Sequence, residues 1–123
     1  MIKIKRLAKS FKHALNGLQH AFQEPNFIIE VSAAVTAILF AVFFRIQRWE
    51  WAALISVILL VLVLEIINTI FERMTDIIVP RSHPYVKIVK DMMAGAVLLA
   101  CFGSVAVGFI IFGPYLSAAF NIF

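Results

Sequence analysis

The sequence predicts an all-α membrane protein with three transmembrane helices and an amphipathic interfacial helix in front of them. Of its 123 residues, 63% are hydrophobic, and its mean hydropathy of +0.97 is well above that of ordinary globular domains. The apolar residues form three long blocks, and a membrane-spanning helix needs about 20 such residues. We therefore predict one integral-membrane domain over residues 1–123, with spans at 27–44, 49–70 and 92–113.

Residues 1–23 carry the amphipathic pattern. Apolar side chains recur there at steps of three and four, and the opposite helical face is basic and polar. The stripe consists of Ile4, Leu7, Phe11, Ala14 with Leu15, Leu18, and Ala21 with Phe22. A basic amphipathic helix beside a span is expected to lie in the membrane interface. It either anchors the chain to anionic lipid or forms a surface that holds a lipid head group near acidic residues.

Prolines mark the ends of the predicted spans. Pro25 suits the first turn of the first transmembrane helix. The helix of the second span continues to about residue 79, where Pro80 and Pro84 stop it. The third span runs to Gly113-Pro114.

The cations indicate membrane topology rather than nucleic-acid binding. Of the 11 Lys and Arg residues, five precede the first span and four lie between the second and third. The positive-inside rule then predicts a cytoplasmic N-terminus, a cytoplasmic 71–91 loop and a C-terminus outside. Three helices bury only part of one another's surface, so we expect a homo-oligomer with cyclic symmetry. The lone Cys101 is expected to pack as a small apolar residue.

Four polar residues follow the second apolar run. At about 100° per residue, Glu65, Asn68, Glu72 and Asp76 fall on one helical face, which we call the acidic ladder. Three like charges there repel one another, and a bound divalent cation would reverse that penalty. Glu65 follows about 14 apolar residues, or roughly 21 Å of helix, and is expected at the membrane edge. Its alternative role is a helix–helix hydrogen bond.

Further charged residues flank the ladder. Either Glu24 or Glu30 could supply a metal ligand from the first span, and Lys90-Asp91 either contacts phosphate or anchors the third span. His83 between two prolines could touch a nucleotide. The sequence has no Gly-x-x-x-x-Gly-Lys-Ser/Thr loop and no Gly-x-Gly-x-x-Gly, so a standard phosphate cradle is excluded.

Three stretches together form a specific pattern. They are Glu65-x-x-Asn68-Thr69-x-x-Glu72-x-x-x-Asp76, then His83-Pro84, then Lys90-Asp91-Met92-Met93-Ala94-Gly95-Ala96-Val97-Leu98-Leu99. With the basic amphipathic helix, this pattern resembles the prokaryotic diacylglycerol kinase family, which includes undecaprenol kinases. The resemblance covers nearly the whole chain. It implies a homotrimer in the bacterial inner membrane that transfers the γ-phosphoryl group of MgATP to a lipid hydroxyl, at sites shared between subunits.

The resemblance also implies roles for individual residues. Glu65 resembles the general base, and Glu24 and Glu72 resemble the metal carboxylates. The implied nucleotide contacts are Arg6, His13, Glu24, Glu72, Arg81, Ser82, His83, Lys90 and Asp91. The implied lipid contacts are Arg6, Ser10, Glu65 and Ala94. Glu30, Asn68 and Asp76 are left as supporting polar residues.

This sequence departs from the family pattern in two places. Pro25 follows Glu24, and the spacing back to Gly17 is one residue short, so Glu24 and Glu30 both stay candidates for the first-span ligand. Arg81 and Ser82 replace the acidic and aromatic residues sometimes seen there. Diacylglycerol and undecaprenol both stay open as the lipid, although the Asn26-Phe27 and His83-Pro84 contexts look more like the undecaprenol branch. The competing class is a small channel or proton relay that uses Glu65 and Glu30.

Overall fold

A computed structural model describes residues 2–78 and 83–121. This part of the chain forms four α-helices and no strand: α1 (Ile2–Ala21), α2 (Pro25–Phe44), α3 (Arg48–Ile78) and α4 (Pro84–Phe120). The last three are each long and apolar enough to cross a membrane. The prediction of an all-α protein with three membrane-spanning helices is thereby confirmed.

Helix α1 exposes its apolar stripe. Leu7 and Phe11 are 72% and 66% exposed, and Leu15, Leu18 and Phe22 are also exposed. Burying such side chains in an apolar medium is favourable by about 25 cal/mol per Å². The uncovered stripe beside three spanning helices is therefore the surface expected of a helix that lies in the membrane interface.

The connection from α1 to α2 is short and packed. Glu24 occupies the N-cap position of α2 with extended backbone, and Pro25 is the first helical residue. The rings of Phe22 and Phe27 meet edge to face with centroids 5.1 Å apart, and Phe27 is buried. These contacts fix the position of Glu24 at the start of α2.

The turn between α2 and α3 follows a Schellman-like pattern. Arg45 adopts the left-handed conformation (φ 53°), and the N–H of Ile46 donates to the carbonyl of Ala41 at 3.3 Å. This bond satisfies an otherwise free carbonyl at the end of the helix. Ile46 is buried and packs with Leu54 and Ile111 in the apolar core at this end of the bundle.

A buried carboxylate ties α3 to α4 near this core. Glu50, only 6% exposed, accepts hydrogen bonds from the backbone N–H of Gln47 at 2.9 Å and from the hydroxyl of Tyr115. Sequence reasoning did not single out Glu50. Its two donors come from the α2–α3 turn and from α4, so the carboxylate joins three elements at the end of the bundle opposite the acidic ladder.

We expect Tyr115→Phe to destabilise the protein, because it leaves a buried carboxylate oxygen without one of its donors. The loss should be about 1–3 kcal/mol in the free energy of unfolding. Thermal unfolding in detergent micelles measures it. Tyr85→Phe is the matched control, since Tyr85 is 75% exposed and its hydroxyl makes no hydrogen bond within the described residues. Equal unfolding temperatures for the two variants would contradict a stabilising role for the Glu50–Tyr115 hydrogen bond.

Helix α4 extends beyond the predicted span at both ends. It begins at Pro84 and continues through Pro114 to Phe120, where Asn121 caps it in the left-handed conformation. Proline clashes with the Cβ of the preceding residue in a helix, and Gly113 has no Cβ. The 37 residues of α4 measure about 55 Å, which exceeds the roughly 30 Å of membrane hydrocarbon. Helix α4 is therefore longer than a straight crossing of the apolar layer requires.

Candidate functional site

The acidic ladder lies on α3 and runs from a buried to an exposed position. Glu65 and Asn68 are 4% and 7% exposed, whereas Glu72 and Asp76 are exposed. Exposure of the ladder side chains rises from Glu65 to Asp76, because the ladder begins where the apolar run of α3 ends. We call the region around its exposed half, where α2 and α4 begin, the polar end of the bundle.

Glu65 is surrounded by polar groups from α2 and α3. Its side chain lies near those of Asn26 and Glu30 on α2. It also lies close enough to Glu72 and Glu24 to experience the charge of both carboxylates. Glu65 thus feels the charge of other carboxyl groups on α3 and at the start of α2.

Asn68 lies between Glu65 and Glu72 along the ladder. Its Nδ2 donates to Oε1 of Glu72 at 3.5 Å, a long hydrogen bond. Its Oδ1 is buried and has no partner in residues 2–78 and 83–121, and the same holds for Oε2 of Glu30. A buried acceptor without a donor is costly, so these two oxygens suit a group that arrives with a substrate or a neighbouring subunit.

Three ion pairs mark the polar end. Arg73 Nη2 lies 2.7 Å from Oε1 of Glu24, which joins α3 to the start of α2. Lys90 Nζ lies 2.7 Å from Oδ1 of Asp76, which joins α4 to the ladder. A third pair, Lys87 with Asp91 at 2.8 Å, lies within one turn of α4. Lys90 and Asp91, both implied by the resemblance to contact nucleotide, thus have different partners, Asp76 on α3 and Lys87 on α4.

The remaining predicted site residues take no part in these ion pairs. Arg6, Ser10 and His13 are exposed on α1, and the described part of the chain shows no ion pair between them and the ladder. His83 caps α4, since its Nδ1 accepts a hydrogen bond from the N–H of Tyr85 at 3.2 Å. The other three sites are Ala94, exposed on α4, and Arg81 and Ser82, which lie outside the described residues.

An apolar cavity of about 550 Å³ lies between α2, α3 and α4. Glu30 and Cys101 line one end, and Phe40 and Phe112 line the other. The ten-residue step from Glu30 to Phe40 corresponds to roughly 15 Å of helix. The apolar lining and the length of the cavity would suit a hydrocarbon chain. Glu30, which lies near Glu65, lines one end of the cavity.

Comparison with known proteins assigns the family. The family model for prokaryotic diacylglycerol kinase matches residues 12–112, which include the first two spans, the whole ladder and α4 as far as Phe112. The chain belongs to the prokaryotic diacylglycerol kinase family. The resemblance inferred from the ladder and its flanking motifs is thereby confirmed.

Individual relatives within the family are moderately similar. The chain is 33% identical to the undecaprenol kinase of Bacillus subtilis over 93% of this chain and 94% of that protein. It is 38% identical to the diacylglycerol kinase of a Synechocystis species over 83% of this chain, but spans only 59% of that relative's length. A diacylglycerol kinase of Pseudomonas aeruginosa is 33% identical over 79% of this chain and 80% of its own length.

Sequence reasoning missed Arg73 as a member of this site. It counted Arg73 only among the cations that set membrane topology, although the residue directly follows Glu72 on the helix of the ladder. Its position next to the ladder was the available signal. Its partner Glu24 is 49 residues away, so the contact could not be read from spacing along one helix.

Proposed function

We propose that this protein, as a member of the prokaryotic diacylglycerol kinase family, transfers the γ-phosphoryl group of MgATP to the hydroxyl group of a membrane lipid. One observation carries the proposal. A buried glutamate, Glu65, lies where the apolar run of α3 ends, within the electrostatic influence of two water-accessible carboxylates, Glu72 and Glu24. Such a site can meet a lipid at the membrane edge and a nucleotide from the aqueous side.

The residues at the polar end fit a magnesium–nucleotide complex. Mg²⁺ in phosphoryl-transfer sites usually takes one or two carboxylates together with phosphate oxygens and water. The described residues contain no group of three acidic, His or Cys side chains that forms a metal site alone. Glu24, Glu72 and the Oδ1 of Asn68, which has no partner in the described residues, would supply oxygen donors of the kind that Mg²⁺ prefers. We assign Glu24 and Glu72 to the metal and Lys90 to phosphate.

Between the two first-span candidates, we favour Glu24 over Glu30 as the metal ligand. The Glu24 side chain is 31% exposed and already has a cation, Arg73, as its partner. Oε2 of Glu30 is buried, and the Glu30 side chain faces Glu65. We therefore assign Glu30 to support of the base.

In the mechanism that we propose, Glu65 takes the proton of the lipid hydroxyl. When bound, Mg²⁺ supplies charge neutralisation for the transferring phosphoryl group. Phosphoryl transfer needs little covalent participation by the protein, and in-line positioning with a base near the nucleophile accounts for most of the protein's part. Asn26 and Glu30 orient the Glu65 carboxyl group, and the low exposure of Glu65 excludes water that would compete with the lipid for the phosphoryl group.

The lipid that we place first is a long isoprenoid alcohol such as undecaprenol. The Bacillus subtilis relative that matches over almost the full length of both chains is an undecaprenol kinase. The diacylglycerol kinases that match cover a smaller share of this chain. Diacylglycerol is the competing substrate, and both lipids present a hydroxyl group at the membrane edge.

The assembly and orientation that we propose follow from the open surfaces and the cations. A homotrimer would cover apolar faces that α2, α3 and α4 leave exposed and would complete sites shared between subunits. The N-terminus and the 71–91 loop would face the cytoplasm, where ATP is available, with the C-terminus outside.

An assay of the purified protein in lipid vesicles tests the function. We expect ADP release that requires MgATP and lipid together, with radiolabelled γ-phosphate recovered in the lipid product. Undecaprenol and diacylglycerol are compared at equal mole fraction, and a higher kcat/KM identifies the preferred lipid. ADP release that is independent of lipid would contradict the proposal.

The alternative, a channel or proton relay built on Glu65 and Glu30, is not supported. The matched relatives are named as kinases. A proton relay would also not explain the contacts of Glu24, Glu72 and Lys90 at the polar end.

A further inference from the structure

The carboxylate of Glu24 is directed away from its own helix. A residue at the N-cap commonly caps the first turn with its side chain, but Glu24 makes no such hydrogen bond. Its Oε1 instead contacts Nη2 of Arg73 at 2.7 Å, across the gap between α2 and α3. Arg73 therefore contacts one of the two carboxylates assigned to the metal, Glu24, and directly follows the other, Glu72, in sequence.

We propose that Arg73 is a phosphate-binding residue of this kinase, and that its guanidinium exchanges Glu24 for the nucleotide phosphates when the magnesium–nucleotide complex binds. This inference rests on the proposed function, in particular on Glu24 as a metal ligand. It assigns to the site a cation that the resemblance did not include.

Charge explains why the two partners exchange. A guanidinium and a divalent cation compete for the same carboxylate, and the divalent cation interacts with it more strongly at equal distance. Once the metal neutralises Glu24, the guanidinium of Arg73 would be free to bind another strong anion, and the polyphosphate of the same complex would supply one. The planar fork of an arginine matches phosphate oxygens in bidentate geometry.

The exposure of the pair permits the exchange. The side chains of Arg73 and Glu24 are 50% and 31% exposed, so water can solvate both groups while their contact breaks. An exposed ion pair of this kind contributes little to stability. The Lys90–Asp76 pair, at the same end and with the same 2.7 Å separation, gives a second cation held by an acid of the site before nucleotide binds.

The rival explanation is that the Arg73–Glu24 ion pair is purely structural and only holds the start of α2 against α3. The two explanations predict opposite signs for metal binding. If Arg73 competes with the metal, then removing it frees Glu24 and strengthens the binding of metal alone. If Arg73 only positions Glu24, then removing it weakens metal binding or leaves it unchanged.

The test compares Arg73→Gln with the wild-type protein in two equilibrium measurements that need no turnover. Mn²⁺ binding without nucleotide is followed by electron paramagnetic resonance, and we expect it to tighten about two- to fivefold, the equivalent of one exposed ion pair. Binding of a non-hydrolysable ATP analogue with Mg²⁺ is followed by calorimetry, and we expect it to weaken about tenfold or more, as for a lost charge-assisted hydrogen bond. Arg73→Lys keeps the charge and should restore part of the nucleotide affinity.

Arg48→Gln is the matched control, because Arg48 is on the same helix about 37 Å away, at the opposite end. It should leave both affinities at the wild-type values. Metal binding that is unchanged or weaker in Arg73→Gln would overturn the exchange, and so would unchanged affinity for the nucleotide analogue. Either result with an active wild-type kinase contradicts only this inference, whereas a wild-type protein without lipid-dependent ADP release contradicts the proposed function itself.

Discussion

Replacing Glu65 with Gln should abolish lipid phosphorylation while the protein still folds and binds MgATP. Gln has nearly the same shape as Glu, but its amide cannot take a proton from a hydroxyl group. General-base catalysis contributes about 10²–10⁴-fold to a rate, and we expect kcat to fall by at least that lower value. The KM for MgATP should change little, because Glu65 is buried at the lipid side of the site. Initial rates of ADP release in lipid vesicles measure both quantities.

Glu50→Gln is the matched control for this prediction. Glu50 lies on the same helix at similar burial, 6% against 4% exposed, and the same substitution leaves an oxygen that accepts its hydrogen bonds. It lies about 22 Å from Glu65 at the other end of α3 and should retain near wild-type turnover. Size-exclusion chromatography in detergent should give the same assembly for both variants. A Glu65→Gln protein with near wild-type kcat would contradict the assignment of Glu65 as the base.

Most of the fold was predictable because its determinants are local in sequence. Each spanning helix is an apolar run, and the membrane leaves a backbone few choices other than a helix. The stripe of α1 and the face shared by the ladder follow from the helical repeat alone. The observed hydrogen bond from Asn68 to Glu72 is a contact between residues four apart, which that repeat places together.

The contacts that join different helices could not be predicted from this pattern. Glu50 and Tyr115 are 65 residues apart, and Glu24 and Arg73 are 49 apart. Both contacts depend on how the helices pack and on the conformations of the α1–α2 and α2–α3 turns. The passage of α4 through Pro114 is a local example of the same difficulty, because the missing Cβ of Gly113 removes a clash that usually ends a helix before proline.

The same distinction applies to the site. The ladder was identifiable on one helix, whereas the grouping of Glu30, Asn26 and Glu24 around it required the path of α2. The resemblance implies nucleotide contacts for both Lys90 and Asp91, but their ion-pair partners could not be read from the sequence, because neighbours in a helix point about 100° apart. The structure accordingly pairs Lys90 with Asp76 and Asp91 with Lys87.

Replacing Glu72 with Ala should mainly impair the use of MgATP. Glu72 is exposed, and within residues 2–78 and 83–121 its side chain makes one long hydrogen bond, from Asn68, so we expect little change in thermal stability. Losing one of two metal carboxylates should raise the Mg²⁺ concentration for half-maximal activity. It should also lower kcat/KM for MgATP by about 10²-fold, since metal coordination contributes several kcal/mol to transition-state stabilisation. A titration of Mg²⁺ at fixed ATP measures the first quantity.

Two further substitutions at the same position separate charge from shape. Glu72→Gln keeps the length and the acceptor oxygen for Asn68 but loses the charge, and it should resemble Glu72→Ala. Glu72→Asp keeps the charge on a shorter side chain and should recover part of the activity at high Mg²⁺. The KM for lipid should stay near the wild-type value in all three variants, because we assign Glu72 to the metal and the lipid hydroxyl to Glu65, which these variants leave unchanged. Unchanged Mg²⁺ dependence in Glu72→Ala would argue against a metal ligand at this position and would leave Glu72 as a partner of Asn68 alone.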